Sequence, residues 1–446
     1  MSNISIHFSE TVGRIKPMHA VNNGPAKSPW GENSPLSNYK TYTDAGFPYA
    51  RTHDSPFYHG YGGWHTVDVR MIFPDFNADP DDPASYDFDC TDDYLKRIQG
   101  TGTKVFYRLG ASIEHEAKKY YTLLPADNHK YAVICEHIMR HYLNGWADGF
   151  HYDIEYWEIW NEPELDRDDA PNKRTWGGTT AQFYDFYEAV AKHIKAAHPQ
   201  CKIGGPSLGG NYDWACAFVE EMARRQVPMD FFSWHSYTND PKYVVWMAKR
   251  IHDLMERNGY PDAENINAEW NYGNYDLMER FRVIQNSKGC ALTASVMLAA
   301  QDSYLDMLMY YDARPNTVFN GLFDLYTWRI KRNYHTMCLF NRLYRLGSQV
   351  EVTREDEDVY CVAAKDGDKA GVMLSWYLEK DEGVTDVKTV TISLAGMNAK
   401  QIRKYQIDAE HPREEIDGVL EAEDLAAADK ITVVFKPNTV VYLELN

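Results

Sequence analysis

A short apolar run followed by a polar or helical stretch recurs along most of this chain, and that alternation limits the fold more than any other feature. The runs fall at 17–21, 47–52, 104–109, 156–160, 202–205, 229–235, 265–269 and 318–324. Between several of them, at 94–98, 131–143, 181–197 and 243–258, apolar residues recur at three- and four-residue steps. That spacing gives a helix one buried face. Strand, helix, strand, repeated, implies parallel pairing through right-handed crossovers. Eight such strands favour an α/β fold of the closed (β/α)8 barrel type over an open sheet.

Near Leu346 the texture changes. Period-two segments follow at 359–364, 370–376, 389–394, 401–407 and 431–445, separated by turn residues such as Lys365-Asp366-Gly367-Asp368. This pattern reads as a small antiparallel β-sandwich. Ile4-Ser5-Ile6-His7-Phe8 alternates in the same way. It is expected to pair with that sheet, so that the two chain ends meet in one domain. The expected division is 1–13 with the sandwich, 14–345 as the barrel and 346–446 as the rest of the sandwich.

The 446 residues carry a formal net charge of −19. An excess of that size repels phosphate backbones and anionic membrane surfaces, so neither nucleic acid nor membrane is an expected partner. The seven cysteines are scattered and none forms a Cys-x-x-Cys pair, which fits reduced thiols and no zinc site. The opening residues MSNISIHFSE lack a basic region followed by an apolar one. A cytoplasmic protein is expected on that reading. No bound cofactor is expected either. IGGPSLGG at 203–210 has no following Lys-Ser/Thr to cradle a phosphate, and it reads as a strand-end turn. No Gly-x-Ser-x-Gly elbow is present.

Two segments carry the chemistry. Tyr156-Trp157-Glu158-Ile159-Trp160-Asn161-Glu162-Pro163 is a β-rich run ending in a carboxylate, with Pro163 stopping further pairing. Ile266-Asn267-Ala268-Glu269-Trp270-Asn271 has the same character about a hundred residues on. The C-terminal strand ends of a barrel surround one mouth, so Glu162 and Glu269 can face each other there. Two carboxyls ~5 Å apart can cleave a glycosidic bond with retention, one protonating the leaving oxygen while the other attacks the anomeric carbon. Asn161, beside the first carboxylate, is placed to hydrogen-bond a sugar 2-hydroxyl.

These motifs resemble clan A glycoside hydrolases and, among them, family 39, which includes β-xylosidases and α-L-iduronidases. KPMHAVNNGP at 16–25 resembles that family's first strand and loop, and Arg51-Thr52-His53-Asp54 its second strand end. WEIWNEP at 157–163 is similar to the acid/base motif, FFSWHSY at 231–237 to the sixth strand, and Ala268-Glu269-Trp270 to the nucleophile motif. The nucleophile motif departs from the family's frequent Thr-Glu, because Ala268 precedes Glu269. The resemblance implies a barrel over about 14–345, Glu162 as acid/base and Glu269 as nucleophile. It also implies a sugar floor near the eighth strand, for which Phe323 and Trp328 compete.

Further candidates surround this pair. Arg51 is expected to hydrogen-bond the nucleophile or to pair with a core carboxylate. Tyr237 shares a strand face with His235 and is expected to donate to Glu269, while His235 serves a sugar hydroxyl or the acid. His53, Asn22, Asn23 and His19 are candidate sugar ligands, although Asn-Asn-Gly also forms turns. Trp64, Trp270 and Trp328 are candidate stacking platforms. The Gly-rich segment 51–65 concentrates His and Asp but matches no defined metal-ligand spacing. It is expected to narrow the pocket, which favours trimming of chain ends. The leading expectation is a retaining, exo-acting β-xylosidase acting on oligosaccharides, with a homo-oligomer possible. The alternatives are α-L-arabinofuranosidase, β-galactosidase or β-glucosidase chemistry on the same frame, or a carbohydrate-binding barrel without activity. A metal-dependent isomerase or lyase would need a third strand-end carboxylate.

Overall fold

The computed structural model describes residues 2–26, 28, 34–53, 66–315 and 317–446. After β1 (Ser2–Arg14), eight parallel strands close a barrel: β2 (Ala20–Asn22), β3 (Tyr49–Arg51), β4 (Lys104–Leu109), β5 (Tyr156–Ile159), β6 (Lys202–Leu208), β7 (Phe231–Tyr237), β8 (Glu264–Asn271) and β9 (Met307–Tyr310). The ring closes through β2, which pairs with both β3 and β9. The expected (β/α)8 barrel is present.

Period-two alternation sorts the strand residues. Phe106, Tyr156, Phe231, Ile266, Met307 and Met309 form a cluster of their own inside the barrel. Their strand neighbours Tyr107, Trp157, Phe232 and Leu308 face outward and join the large core with the helices. One step further along the strands, the same inward parity places Asn22, Arg51, Glu158 and His235 in a buried polar layer. The apolar layer therefore seals one end of the barrel and the polar layer opens toward the other.

Two irregularities re-aim side chains. Between β7 and β8 the register passes from Trp234↔Asn267 to His235↔Glu269, skipping Ala268. Ala268 belongs to the interior cluster. Simple alternation would therefore turn Glu269 outward, and the extra residue brings it back toward the barrel mouth. Between β6 and β7 the register passes from Gly205↔Phe232 to Leu208↔Trp234, so Ser207 lies in a second bulge.

The expected eighth strand at 318–324 is not one. The eighth barrel strand is β9, and 318–324 is a turn-rich loop in which Phe323 makes an isolated bridge to Ile330. Asn320 decides this: its Oδ1 accepts from the backbone N–H of Leu322 and Phe323, both 2.8 Å away, and its Nδ2 donates to Pro315 O at 3.1 Å. Side chain to backbone bonding of this kind competes with a sheet ladder and wins next to Gly321.

The remaining strands are β10 (Ser348–Arg354), β11 (Val359–Asp366), β12 (Lys369–Trp376), β13 (Lys388–Ala395), β14 (Ile402–Ile407), β15 (Ala422–Leu425), β16 (Lys430–Phe435) and β17 (Thr439–Leu445). With β1 they form one hydrogen-bonded sheet in the order β15-β14-β17-β12-β11-β10-β1-β13-β16. The C-terminal β domain is thus a single, mostly antiparallel sheet. β1 pairs antiparallel with β10 and parallel with β13. The run 431–445 divides at Pro437-Asn438, where Asn438 takes φ 61°. Val359, Cys361, Ala363, Val372 and Leu374 join Ile4 and Ile6 in the sheet's own core. The alternate residues Val362, Ala364 and Met373 pack with the barrel's core, against the helices Ser287–Gln301 and Arg332–Leu346.

Polar contacts fasten the two parts together. Ser375 Oγ donates to Ala291 O at 3.0 Å. Glu379 accepts from the Tyr272 hydroxyl at 2.9 Å and from Asn239 Nδ2 at 3.2 Å, so a loop of the β domain buttresses the segments leaving β7 and β8. All seven cysteines are free thiols. Among the described residues no helix is long and apolar enough to cross a membrane.

Candidate active site

A cleft of about 800 Å³ opens at the C-terminal ends of the barrel strands, and Glu162, Glu269, His53, Tyr237, Tyr311 and Phe319 are among its lining residues. One carboxylate oxygen of Glu162, one of Glu269 and one ring nitrogen of His235 all lie within 4.8 Å of one another. The two glutamates are 8% and 6% exposed, so they share a largely desolvated space.

The backbone leaves strand geometry to present Glu162. Trp160 takes φ 72° and Glu162 φ 46°, a left-handed conformation that is costly for side chains of this size. Neighbouring elements hold the turn. Trp160 N donates to Leu109 O at 2.8 Å, Glu162 N to Ser207 O at 2.9 Å, and Thr175 Oγ1 to Glu162 O at 2.6 Å. A Cβ on Gly209 would stand 3.1 Å from Glu162 Oε1, so the absence of a side chain there makes room for the carboxyl. Glu164 accepts from Gly210 N at 3.1 Å. Burial, and then the nearby Glu162, push the Glu164 carboxyl up to about 7.

Arg51 is the hub of the site and fully buried. Its Nε donates to Glu158 Oε2 at 2.7 Å. Its Nη1 donates to Asn22 Oδ1 at 3.0 Å and to Glu269 Oε2 at 3.4 Å. Its Nη2 donates to Asn161 Oδ1 and to Ser207 Oγ, both at 2.7 Å. Arg51 thus bonds both Glu158 and Glu269, and Glu158 is its closer carboxylate.

The Tyr237 hydroxyl donates to Glu269 Oε1. Burial pushes the Tyr237 phenol well above its ordinary range, so it keeps its proton. Burial also pushes the Glu269 carboxyl up, and Glu162 adds to this, while Arg51 and the Tyr237 bond pull it back. His235 Nδ1 lies 2.8 Å from Glu162 Oε1, and burial lowers its pKa to about 4, which leaves the imidazole neutral. His53 Nε2 is 3.9 Å from Glu269 Oε2, and burial, with Arg51 next, lowers its pKa well below the usual value.

Glu162, His235 and Glu269 have the proximity of a metal-ligand set. Their atoms are already engaged by one another, by Tyr237, by Ser207 and by Arg51. The Arg51 guanidinium against Glu269 opposes a second cation there, so these residues do not fit a metal site.

A family model described as glycosyl hydrolases family 39 matches residues 5–259, more than half of the chain. The chain belongs to glycosyl hydrolases family 39. Within the wider comparison, a β-xylosidase of Geobacillus stearothermophilus is 25% identical over 293 residues, which cover 58% of this chain and 54% of that enzyme. The chain thus spans about half the length of that relative. A glucosidase from Croceicoccus marinus superposes with TM-score 0.80 at 20% identity, covering 100% of this chain and 99% of the other. A monomeric β-xylosidase from Caulobacter crescentus CB15 superposes with TM-score 0.74 at 16% identity, again covering 100% and 99%. These two likenesses establish the shared fold.

Several sequence candidates lie elsewhere than expected. Trp270 is 1% exposed and packs edge-on against Tyr310, turned away from the cleft by the strand alternation that turns Glu269 into it. Phe323 packs on Tyr334 and, like the 3% exposed Trp328, is not among the cleft-lining residues. The aromatic rings after β9 that do line the cleft are Tyr311 and Phe319, which stand 5.4 Å apart at 68°. Asn22 spends its amide on Ala268 O, Met309 O and Arg51, so it braces the frame instead of meeting a ligand. His19 is buried against Phe340, Tyr344 and Asn341. Trp64 and the expected pocket-narrowing segment through His65 lie outside the described residues. Sequence reasoning missed Glu158 and Ser207. A charged residue at inward parity inside an apolar strand was the available signal for Glu158. Ser207 was hidden in a run read as a turn.

Proposed function

We propose that this family 39 chain is a retaining glycoside hydrolase in which Glu162 is general acid/base and Glu269 is nucleophile. The carrying observation is the carboxylate spacing. Oxygens within 4.8 Å leave no room for the water that an inverting pair, ~6.5–9.5 Å apart, must admit between carboxyl and sugar. In the first step the Glu162 proton passes to the leaving oxygen while a Glu269 oxygen bonds the anomeric carbon. In the second, Glu162 takes a proton from water, which displaces Glu269. Arg51 and Tyr237 donate to Glu269 and hold it as the attacking anion. Asn161 Nδ2 is buried without a protein partner, which supports its role as donor to the 2-hydroxyl.

The substrate is a terminal β-xylosyl residue of an oligosaccharide. The β-xylosidase of Geobacillus stearothermophilus supports that sugar, and a cleft of about 800 Å³, of the size that encloses a small ligand, supports exo-action. The likeness to a glucosidase makes β-glucosides the second substrate to try. An aryl-glycoside panel, with proton NMR of the first sugar released, tests the reading. Fastest release from the β-xyloside with the β-anomer appearing first is expected. The α-anomer appearing first would overturn retention, and an inert panel would overturn the activity.

The pH profile carries a second expectation. Glu269 must be ionised to attack, and its carboxyl is raised from 4.5, with burial the largest cause. The acidic limb of kcat/KM therefore lies above pH 4.5, because protonation of the free enzyme removes the nucleophile. A limb at or below the ordinary glutamate value would contradict the role given to Glu269.

A further inference from the structure

His235 stands between the two carboxylates, and its proton can serve only one of them at a time. Its Nδ1 is 2.8 Å from Glu162 Oε1, and its Nε2 is 3.7 Å from Glu269 Oε2 and 2.6 Å from Ser207 Oγ. A neutral imidazole has one N–H, and the group that bonds the other nitrogen decides which one carries it. We propose that Ser207 is a positioning residue that assigns His235 to Glu162 and away from Glu269, by fixing the proton on Nδ1.

The argument is one of donors and acceptors. Arg51 Nη2 only donates, and it lies 2.7 Å from Ser207 Oγ. It occupies a lone pair of that hydroxyl, and the hydroxyl's single proton turns to His235 Nε2. Nε2 is then an acceptor, so Nδ1 holds the hydrogen and donates to Glu162 Oε1. When Glu162 is protonated, its proton must sit on Oε2, the oxygen not receiving the imidazole N–H. The opposite tautomer would harm both groups. Nδ1 would accept the Glu162 proton and hold it back from a leaving group, and Nε2–H would point at Glu269 and weaken its attack.

The backbone adds an independent sign. Ser207 takes φ 59° inside the β6 bulge, a conformation glycine adopts without penalty and serine does not. The strained residue is clamped: its N–H donates to Ser233 Oγ at 2.9 Å and its carbonyl accepts from Glu162 N–H at 2.9 Å. A side chain kept at such a position, with both ends of its hydroxyl engaged by charged or catalytic-layer groups, has work that glycine cannot do. The inference rests on the acid/base and nucleophile roles proposed above, but its first test does not.

That test is the tautomer itself. Histidine-selective 15N labelling with long-range proton–nitrogen correlation reads which nitrogen of His235 carries hydrogen, the signals being assigned by their loss in His235→Asn. The wild type is expected to show a protonated Nδ1 and a bare Nε2. Ser207→Gly, which removes the hydroxyl and relieves the backbone, is expected to shift the population toward Nε2–H, and Ser207→Ala to do the same. An unchanged tautomer in Ser207→Gly overturns the proposal whether or not the enzyme hydrolyses anything. In kinetics, both variants should lose on the order of 10²-fold in kcat/KM on alkyl or sugar leaving groups, the scale of a general-acid contribution. On dinitrophenyl glycosides, which need little protonation, the loss should be several-fold. Equal losses on the two substrate types would mark a merely structural role for Ser207.

Discussion

Replacing Glu269 with alanine is expected to lower turnover of aryl β-xylosides by ~10⁴-fold or more, the scale seen when a covalent nucleophile is removed. Added azide should restore part of the rate and yield the α-glycosyl azide, because the small anion fills the place of the lost carboxylate and attacks the sugar directly. Glu162→Ala should behave differently. It should retain activity on good leaving groups, and azide should give the β-product by attacking the glycosyl-enzyme. The two azide products, separated by NMR, assign the roles individually. A single anomer from both variants would remove the assignment. The loss in Glu269→Ala should not be one of folding. A carboxyl raised by burial contributes stability that is complete below pH 4.5 and is lost as pH rises through its folded value. Glu269→Gln should accordingly melt no lower than wild type at neutral pH while remaining inactive.

The second large effect concerns Arg51. Arg51→Met removes five hydrogen bonds to Glu158, Asn22, Glu269, Asn161 and Ser207 and leaves Glu158, itself fully buried, without its cation. Uncompensated buried charges cost about 3–5 kcal/mol, and urea denaturation should register a loss of that size. The pair Arg51→Met/Glu158→Gln should regain most of that stability, because no unpaired charge remains in the barrel. Activity should not return, because Glu269 and Asn161 would still lack the bonds that Arg51 donates to them. If the double variant were no more stable than Arg51→Met, Glu158 would not be the partner that makes Arg51 tolerable in the core.

The strand–helix alternation made the barrel legible, and it failed at the last strand for a definable reason. Met307–Tyr310 is four residues long and is separated from a preceding apolar helix only by the turn at 302–306, whereas 318–324 is a longer apolar run that Asn320 ties into turns. That Glu162, Glu269, His235, Tyr237, Arg51 and Asn161 would meet was legible because they lie in contiguous motifs at strand ends. The aromatic lining of the cleft was not. Phe323 and Trp328 satisfy a sequence expectation of an aromatic after the eighth strand, but Tyr311 and Phe319 are the rings that reach the cleft, and only the path of the loop distinguishes them.

By itself the sequence determined which residues carry charge, which faces are apolar and where strands stop, since these follow from side-chain chemistry and short-range periodicity. The tertiary structure decided what those residues do to one another. A one-residue bulge at Ala268 turns Glu269 toward Glu162, and barrel closure gives Arg51 two carboxylates where either alone was expected. Such outcomes depend on register between strands many residues apart, and a shift of one residue exchanges the inward and outward faces. No local pattern encodes that choice; the packing of the whole barrel does.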